Sequence, residues 1–235
     1  MNELLTVNNL YHRYQDGSKT RAVLKDVNLT FETGKMYAIV GSSGSGKTTL
    51  LSLIGGLDDV QEGDIIYDGQ SLKKIGLTNY RKNNVNIIFQ SYNLIKYMNA
   101  IQNVVVAMDI KKVKDVDKKK KALDILNELG IDDDTAKRDI LKISGGEQQR
   151  VAIARALAHN SSLIMADEPT GNLDDETEEE IIDIFKRLAK EGKCVIIVTH
   201  SSSVAKQADV IYAITKGKIE KVDPQVITAP ELILS

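Results

Sequence analysis

The chain has 235 residues, 42% of them hydrophobic and 27% charged, enough apolar material for a real core. Its formal net charge of -2 gives no electrostatic footprint for nucleic acid, and one cysteine, Cys194, excludes an internal disulfide framework. No apolar run reaches the about 18–20 residues of a membrane span, and Met1-Asn2-Glu3 does not read as the start of a signal peptide.

Residues 4–11 and 22–31 alternate apolar and polar side chains, which predicts half-buried strands. Met36-Tyr37-Ala38-Ile39-Val40 is a short buried-strand run, and after a Gly-rich loop the chain turns helical from Thr48 to Ile54. Residues 91–160 read differently, with helical patterns over 101–110, 118–129 and 145–158 and no convincing strand. Inside that stretch, residues 111–121 hold seven Lys and two Asp. They fit either a solvated helix start or loop, or contact with anionic lipid headgroups.

Leu163-Ile164-Met165-Ala166 and Val195-Ile196-Ile197-Val198 are buried-strand runs, the second beside Cys194, which reads as a buried reduced thiol. Between them an amphipathic helix over 175–190 offers Ile181, Ile182, Ile184, Phe185 and Leu188 to the core. Asp174, Asp175, Glu176, Glu178 and Glu179 suit the positive end of that helix and read as a helix start rather than a metal site. The prolines, 169, 224 and 230, leave the long helices uninterrupted. Strand–helix–strand alternation with continuous apolar strands predicts a parallel sheet covered on both faces. The expected organisation is one α/β domain. Residues 1–90 and 161–235 form a core with an N-terminal antiparallel β part, and 91–160 form an inserted helical subdomain.

The chemistry lies in three places. Gly41-Ser42-Ser43-Gly44-Ser45-Gly46-Lys47-Thr48 matches G-x-x-x-x-G-K-[ST] between a strand and a helix. Its glycines let N–H groups converge on phosphate oxygens, with Lys47 on the β- and γ-phosphates, Thr48 on Mg²⁺ and Thr49 extending the loop. Asp167 and Glu168 follow a buried strand at its carboxyl end, where such folds bind ligands. Asp167 is the expected partner of Mg²⁺, and Glu168 the candidate general base for the attacking water. Ser144-Gly145-Gly146-Glu147-Gln148 opens a helix as an N-cap with unobstructed N–H groups, a second anion-binding end. A chain with one phosphate loop gains little from a second for the same nucleotide. This end is therefore predicted to complete the site of another copy.

With those motifs in this order, the sequence resembles the ATP-binding-cassette ATPases over nearly its whole length. The resemblance implies a P-loop NTPase fold and further roles for single residues. Gln90 would act as the Q-loop glutamine on Mg²⁺ or the attacking water, and Gly171-Asn172-Leu173-Asp174 as the D-loop. His200 would be the switch histidine on the γ-phosphate, and Tyr14 would stack on adenine, with Tyr11 as the neighbouring alternative. It also implies ATP and Mg²⁺ as ligands, a second copy of the chain, and separate transmembrane permease subunits as partners. The place of work would be the cytoplasmic face of a membrane. Two departures stand out: Ile143-Ser144-Gly145-Gly146-Glu147 has Glu where Gln is commonest, and Ser201 follows His200 where an acidic residue is frequent. Thr170 to Asp174 and Gln102-Asn103-Val104 look like the macrolide-export, lipoprotein-release and peptide-antibiotic-resistance subgroup. A cell-division type that signals across the membrane without transport is the alternative.

Overall fold

The computed structural model describes residues 3–17, 19–114 and 116–223; Asp115, Pro224 and Pro230 lie outside them. The chain opens with a hairpin of β1 (Glu3–Asp16) and β2 (Lys19–Glu32), both longer than the alternating segments. The register shifts between Val7 and Leu10 and between Leu10 and His12, and Asn9 sits at φ 46. An extra unpaired residue breaks a period of two, so alternation alone loses the strand there.

β3 (Met36–Val40) runs into the Gly-rich loop and α1 (Lys47–Ile54). Then follow β4 (Glu62–Tyr67), β5 (Gln70–Ser71), the short helices α2 (Leu72–Ile75) and α3 (Leu77–Asn83), and β6 (Val85–Ile88). The next elements are α4 (Ala100–Ile110), α5 (Lys118–Glu128), α6 (Asp133–Ala136) and α7 (Gly145–Leu157). The chain returns to the sheet through β7 (Leu163–Asp167), α8 (Asp175–Lys190) and β8 (Cys194–Val198). It continues through α9 (Ser202–Ala205) to the hairpin of β9 (Val210–Thr215) and β10 (Lys218–Val222).

Two sheets result. One is antiparallel, ordered β2-β1-β4-β5; the other is mixed, ordered β10-β9-β3-β8-β7-β6, with β9-β3-β8-β7-β6 parallel. The parallel strands send alternate side chains to opposite cores. Met36, Ala38, Val40, Ile164, Ala166, Val195 and Ile197 face a core built with α4, α5, α7 and α8. Tyr37, Ile39, Leu163, Met165, Cys194, Ile196 and Val198 face a core shared with α1 and the antiparallel sheet. Burial on both faces is why these strands read as unbroken apolar runs.

Caps fix where the helices begin. Asp174 accepts hydrogen bonds from the Thr177 backbone N–H (3.0 Å) and hydroxyl (3.0 Å), so the acidic run is the first turn of α8. Asp117 caps α5, which makes the lysine-rich run a helix start there, and Lys118 pairs with Asp109 at 2.6 Å. Asn103 is fully buried; its side chain accepts from the Ile95 N–H (2.8 Å) and donates to the Asn99 carbonyl (3.0 Å). That amide ties the loop after β6 to α4. No helix among the described residues is long and apolar enough to cross a membrane.

Cys194 is fully buried, and burial pushes its thiol up to about 12. As the one thiol in the chain, it is expected to stay unreactive to Ellman's reagent near pH 8 and to react in step with urea unfolding. Rapid labelling of the folded protein would contradict this packing.

Candidate functional site

The site lies along the carboxyl ends of the parallel strands. The loop after β3 carries 41–48, β6 is followed by Gln90, β7 ends at Asp167, and β8 is followed by His200. Strand order places β8 between β3 and β7, so residues far apart in sequence meet at one edge.

Two glycines of the loop are required by close approach. A Cβ on Gly41 would stand 2.5 Å from the Ile214 carbonyl oxygen and 2.8 Å from Ser45 Oγ. Gly46, at φ 116, begins α1 with no side-chain cap; a Cβ there would meet Val23 O and Ile214 Cδ1 at 3.1 Å. Ile214 thus backs the loop, and the sequence reading missed it. Its signal was the run Val210 to Thr215 before the turn at Lys216-Gly217. Ser42, Ser43 and Gly44 lie at or near the surface, Thr48 is exposed and Thr49 half-buried. The Ser45 hydroxyl is buried without a hydrogen-bond partner, as in a cradle shaped for something else.

Lys47 Nζ donates to the carbonyls of Gly41 (2.7 Å) and Ser42 (3.0 Å), which holds the ammonium over the loop. Burial lowers its pKa, while Glu168 and Asp167 act to raise it. Asp167 is half-buried; burial and the neighbouring Glu168 raise its pKa, and Lys47 partly offsets them. Two carboxylates against one ammonium leave a negative excess that a divalent cation would relieve. Among the described residues no cluster of three or more His, Cys, Asp or Glu could hold a metal by itself. This fits Mg²⁺, which is commonly held by one or two protein ligands together with phosphates and waters. Thr48, in the first turn of α1, and Asp167, at the end of β7, could provide such ligands.

Glu168 sits at φ 47, a left-handed conformation that costs a non-glycine residue on the order of 1–3 kcal/mol. Its N–H donates to Val198 O at 2.9 Å, which fixes it against β8. Its Oε2 accepts from the His200 backbone N–H at 3.2 Å and lies 2.9 Å from His200 Nδ1. Oε1 has no hydrogen-bond partner among the described residues. Gln90 reaches the same corner, since a Cβ on Gly171 would lie 3.2 Å from Gln90 Nε2. A further network that the sequence reading did not foresee ties this corner to α8 and α9. Thr170 Oγ1 and Ser203 Oγ donate to the two oxygens of Glu178, at 3.0 and 2.5 Å. Ser201 caps α9, accepting from the Val204 N–H at 3.3 Å.

Tyr14 is 45% exposed, with its hydroxyl 3.5 Å from Thr49 Oγ1 and its ring edge-on to His12. Tyr11 instead lies under the guanidinium of Arg13, 5.6 Å from ring centroid to Cζ. Of the two tyrosines, Tyr14 is the one beside the loop.

The second Gly-punctuated end stands apart. Ser144 and Gly145 are exposed, and no hydrogen bond or ion pair links 144–147 to 41–48 among the described residues. Its neighbours are Tyr92, Leu173 and Thr177; a Cβ on Gly146 would meet Thr177 Cγ2 at 2.6 Å. Glu147 belongs to a capping box: it accepts from the Ser144 N–H at 2.6 Å, and Ser144 Oγ accepts from the Glu147 N–H at 3.2 Å. The unusual carboxylate therefore has a local task that glutamine performs equally well.

The sequence model of the family described as ABC transporter matches residues 24–171. The chain is 51% identical over 201 residues to YclH, an ABC transporter ATP-binding protein of Bacillus subtilis, covering 85% of this chain and 89% of that one. It is 39% identical over 224 residues to the macrolide export ATP-binding/permease protein MacB of a Shewanella strain. That match covers 94% of this chain and 34% of MacB, so the chain spans about a third of that relative. Among solved structures, the ATP-binding cassette MJ0796 of Methanocaldococcus jannaschii, a post-hydrolysis dimer bound to ADP and Pi, superposes with a TM-score of 0.86 at 35% identity. The match covers 94% of this chain and 99% of that one.

Replacing Glu147 by Ala is expected to lower the stability of α7 by about 1 kcal/mol, whereas Glu147→Gln stays within a few tenths. Urea denaturation measures both, and equal losses would show that the capping box is not what Glu147 provides.

Proposed function

The chain belongs to the ABC transporter ATP-binding family, and from that premise we propose that two copies close on two ATP molecules, each held by 41–48 of one copy and 144–148 of the other. The chain is an ATPase, the energy-converting subunit of a transporter. The observation that carries the proposal is the exposed, unattached end at Ser144. An N-cap with free N–H groups and no contact with its own phosphate loop is a half-site. MJ0796, similar over nearly this whole chain, forms a dimer.

In this reading the loop amides and Lys47 neutralise charge that builds on the γ-phosphoryl oxygens, which is most of what such catalysis requires. Thr48 and Asp167, with Gln90 near them, would hold Mg²⁺, which would supply further positive charge to the phosphates when bound. Glu168 accepts a proton from the attacking water through Oε1, while Oε2 stays anchored at His200. His200, 61% exposed on its side chain, would give up its Nδ1 contact with Glu168 to turn toward the γ-phosphate, while its backbone N–H keeps the anchor on Oε2. Tyr14 stacks on the adenine. Gly171 packs against Gln90, so the water-positioning corner and the loop leading to α4 move together.

The work is delivered to separate transmembrane subunits, and export or extraction of an antimicrobial, peptide or lipoprotein cargo is the favoured use. The 39% identity to MacB supports this direction. Mechanical signalling without transport uses the same engine, and copurification with the membrane partner distinguishes the two.

Glu168→Gln is expected to keep ATP binding, lose nearly all hydrolysis and accumulate as an ATP-bound dimer in size-exclusion chromatography. A monomeric, fully active variant would falsify the assignment of Glu168. Mixing Lys47→Ala with Ser144→Arg subunits, each inactive alone, is expected to restore part of the hydrolysis, because one composite site in the mixed dimer is intact. No recovery at any ratio would count against sharing.

A further inference from the structure

By its sequence Glu178 belongs to the acidic run that starts α8, but the cap there is Asp174, which leaves Glu178 open to another task. Glu176, Glu179 and Glu180 are exposed, whereas Glu178 is half-buried. Its Oε2 accepts from Thr170 Oγ1 at 3.0 Å and its Oε1 from Ser203 Oγ at 2.5 Å, and no cation pairs with it among the described residues. The two partners come from different strand ends. Thr170 follows Glu168 beyond β7, and Ser203 follows His200 beyond β8. Thr170 is 4% exposed, so its hydroxyl has almost no water to turn to in place of the carboxylate.

This hydrogen-bond chain has a direction. Ser203 has one hydroxyl proton, which goes to Glu178, so in its 2.7 Å contact with Ser201 it accepts. Ser201 Oγ in turn accepts from the Val204 N–H at 3.3 Å, and the Ser201 N–H donates to Thr199 Oγ1 at 3.0 Å. Thr199 is tied to β3, its N–H lying 3.1 Å from Ile39 O. The backbone on either side of His200 is therefore held, from β3 before it and from α8 after it. On the other flank the Gly171 N–H, next to Thr170, donates to Glu168 O at 3.3 Å. An ionised carboxylate accepts and never donates, so it can end both chains at once.

We infer that Glu178 is a positioning residue for hydrolysis: it fixes the His200 backbone N–H that anchors Glu168 Oε2, so that Oε1 is presented to the attacking water. This rests on the reading of Glu168 as the general base. The left-handed Glu168 needs such help, because both groups against its Oε2, the N–H at 3.2 Å and Nδ1 at 2.9 Å, belong to His200. Once the imidazole turns to the γ-phosphate, the backbone N–H is the anchor that stays. One bond orients a carboxylate only as well as its donor is itself held. No hydrogen bond joins Glu178, Thr170 or Ser203 to 41–48 among the described residues, so nucleotide binding lies outside the reach of this tether.

Steady-state hydrolysis by the full chain is expected to show Glu178→Ala lowering kcat about tenfold while KM for ATP stays within about twofold. Glu178→Gln is expected to keep about half of kcat, since its amide oxygen still accepts one hydroxyl, whereas a role of the charge alone would be lost in both variants. Ser203→Ala, at an exposed position, is expected to cost about threefold by itself and nothing further beside Glu178→Ala. A second readout needs no nucleotide. Backbone-labelled histidine gives three amide signals in NMR, from His12, His159 and His200, and the one missing in His200→Ala identifies His200. That signal is expected to shift in Glu178→Ala and in Ser203→Ala, with the other two in place. A His200 signal that stays, a KM that rises as kcat falls, equal losses in Glu178→Gln and Glu178→Ala, or additive losses with Ser203→Ala overturns the proposal. If Glu178→Ala does not fold, Ser203→Ala alone decides by the same signal and the same kcat. Where Glu168→Gln hydrolyses ATP at full rate, the reading of Glu168 falls and the proposal with it. Where Glu168→Gln is inactive yet the His200 signal stays, only Glu178 loses its role.

Discussion

Everything in this molecule depends on a parallel sheet that must be covered on both faces. The burial of β3, β7 and β8 from both sides forces helices and a second sheet onto them, and parallel pairing leaves all their carboxyl ends on one edge. That edge is where the phosphate loop, Asp167, Glu168 and His200 meet. Inserting β8 between β3 and β7 brings His200 next to Glu168, which lies 32 residues earlier. No local rule would place those two side chains 2.9 Å apart.

The charge arrangement at the edge is deliberately unbalanced. Lys47 faces two carboxylates; burial disfavours the charges of Lys47 and Asp167, and the raised Asp167 shows which side carries the excess. Left alone this is a cost, but it becomes useful when a cation and a polyphosphate complete the site. The left-handed Glu168 is a second cost of the same kind, held by its hydrogen bond to β8 and by the anchor at His200. The left-handed Glu168 and the charge excess thus lie together at the edge that carries the chemistry.

The helical stretch is tied to this edge through the loop after β6. Asn103 pins the loop after β6 to α4, Arg155 of α7 holds the carbonyls of Tyr92 and Asn93, and Gln90 at the loop's start packs near Gly171. α4, α7 and the catalytic corner are therefore tied to one short segment of backbone. Ser144, the N-cap of α7, belongs to the same helical stretch.

The sequence by itself determined the nucleotide chemistry, because a Gly-rich loop between a buried strand and a helix has few other uses, and it determined the long helices and central strands, because their periodicity is local. It also suggested that Ser144 begins an anion-binding end. It did not reveal β4, β5, β6 or β10, which are short, half-exposed or bulged and acquire their state from their neighbours, and β9 was passed over although its apolar run was legible. Nor did it find Ile214 behind the phosphate loop, or the Glu178 network with Thr170 and Ser203. It left Tyr11 and Tyr14 open. Only the tertiary structure decided these, since they depend on which strands lie side by side, and strand order is set by the burial of whole faces rather than by any residue's own preference.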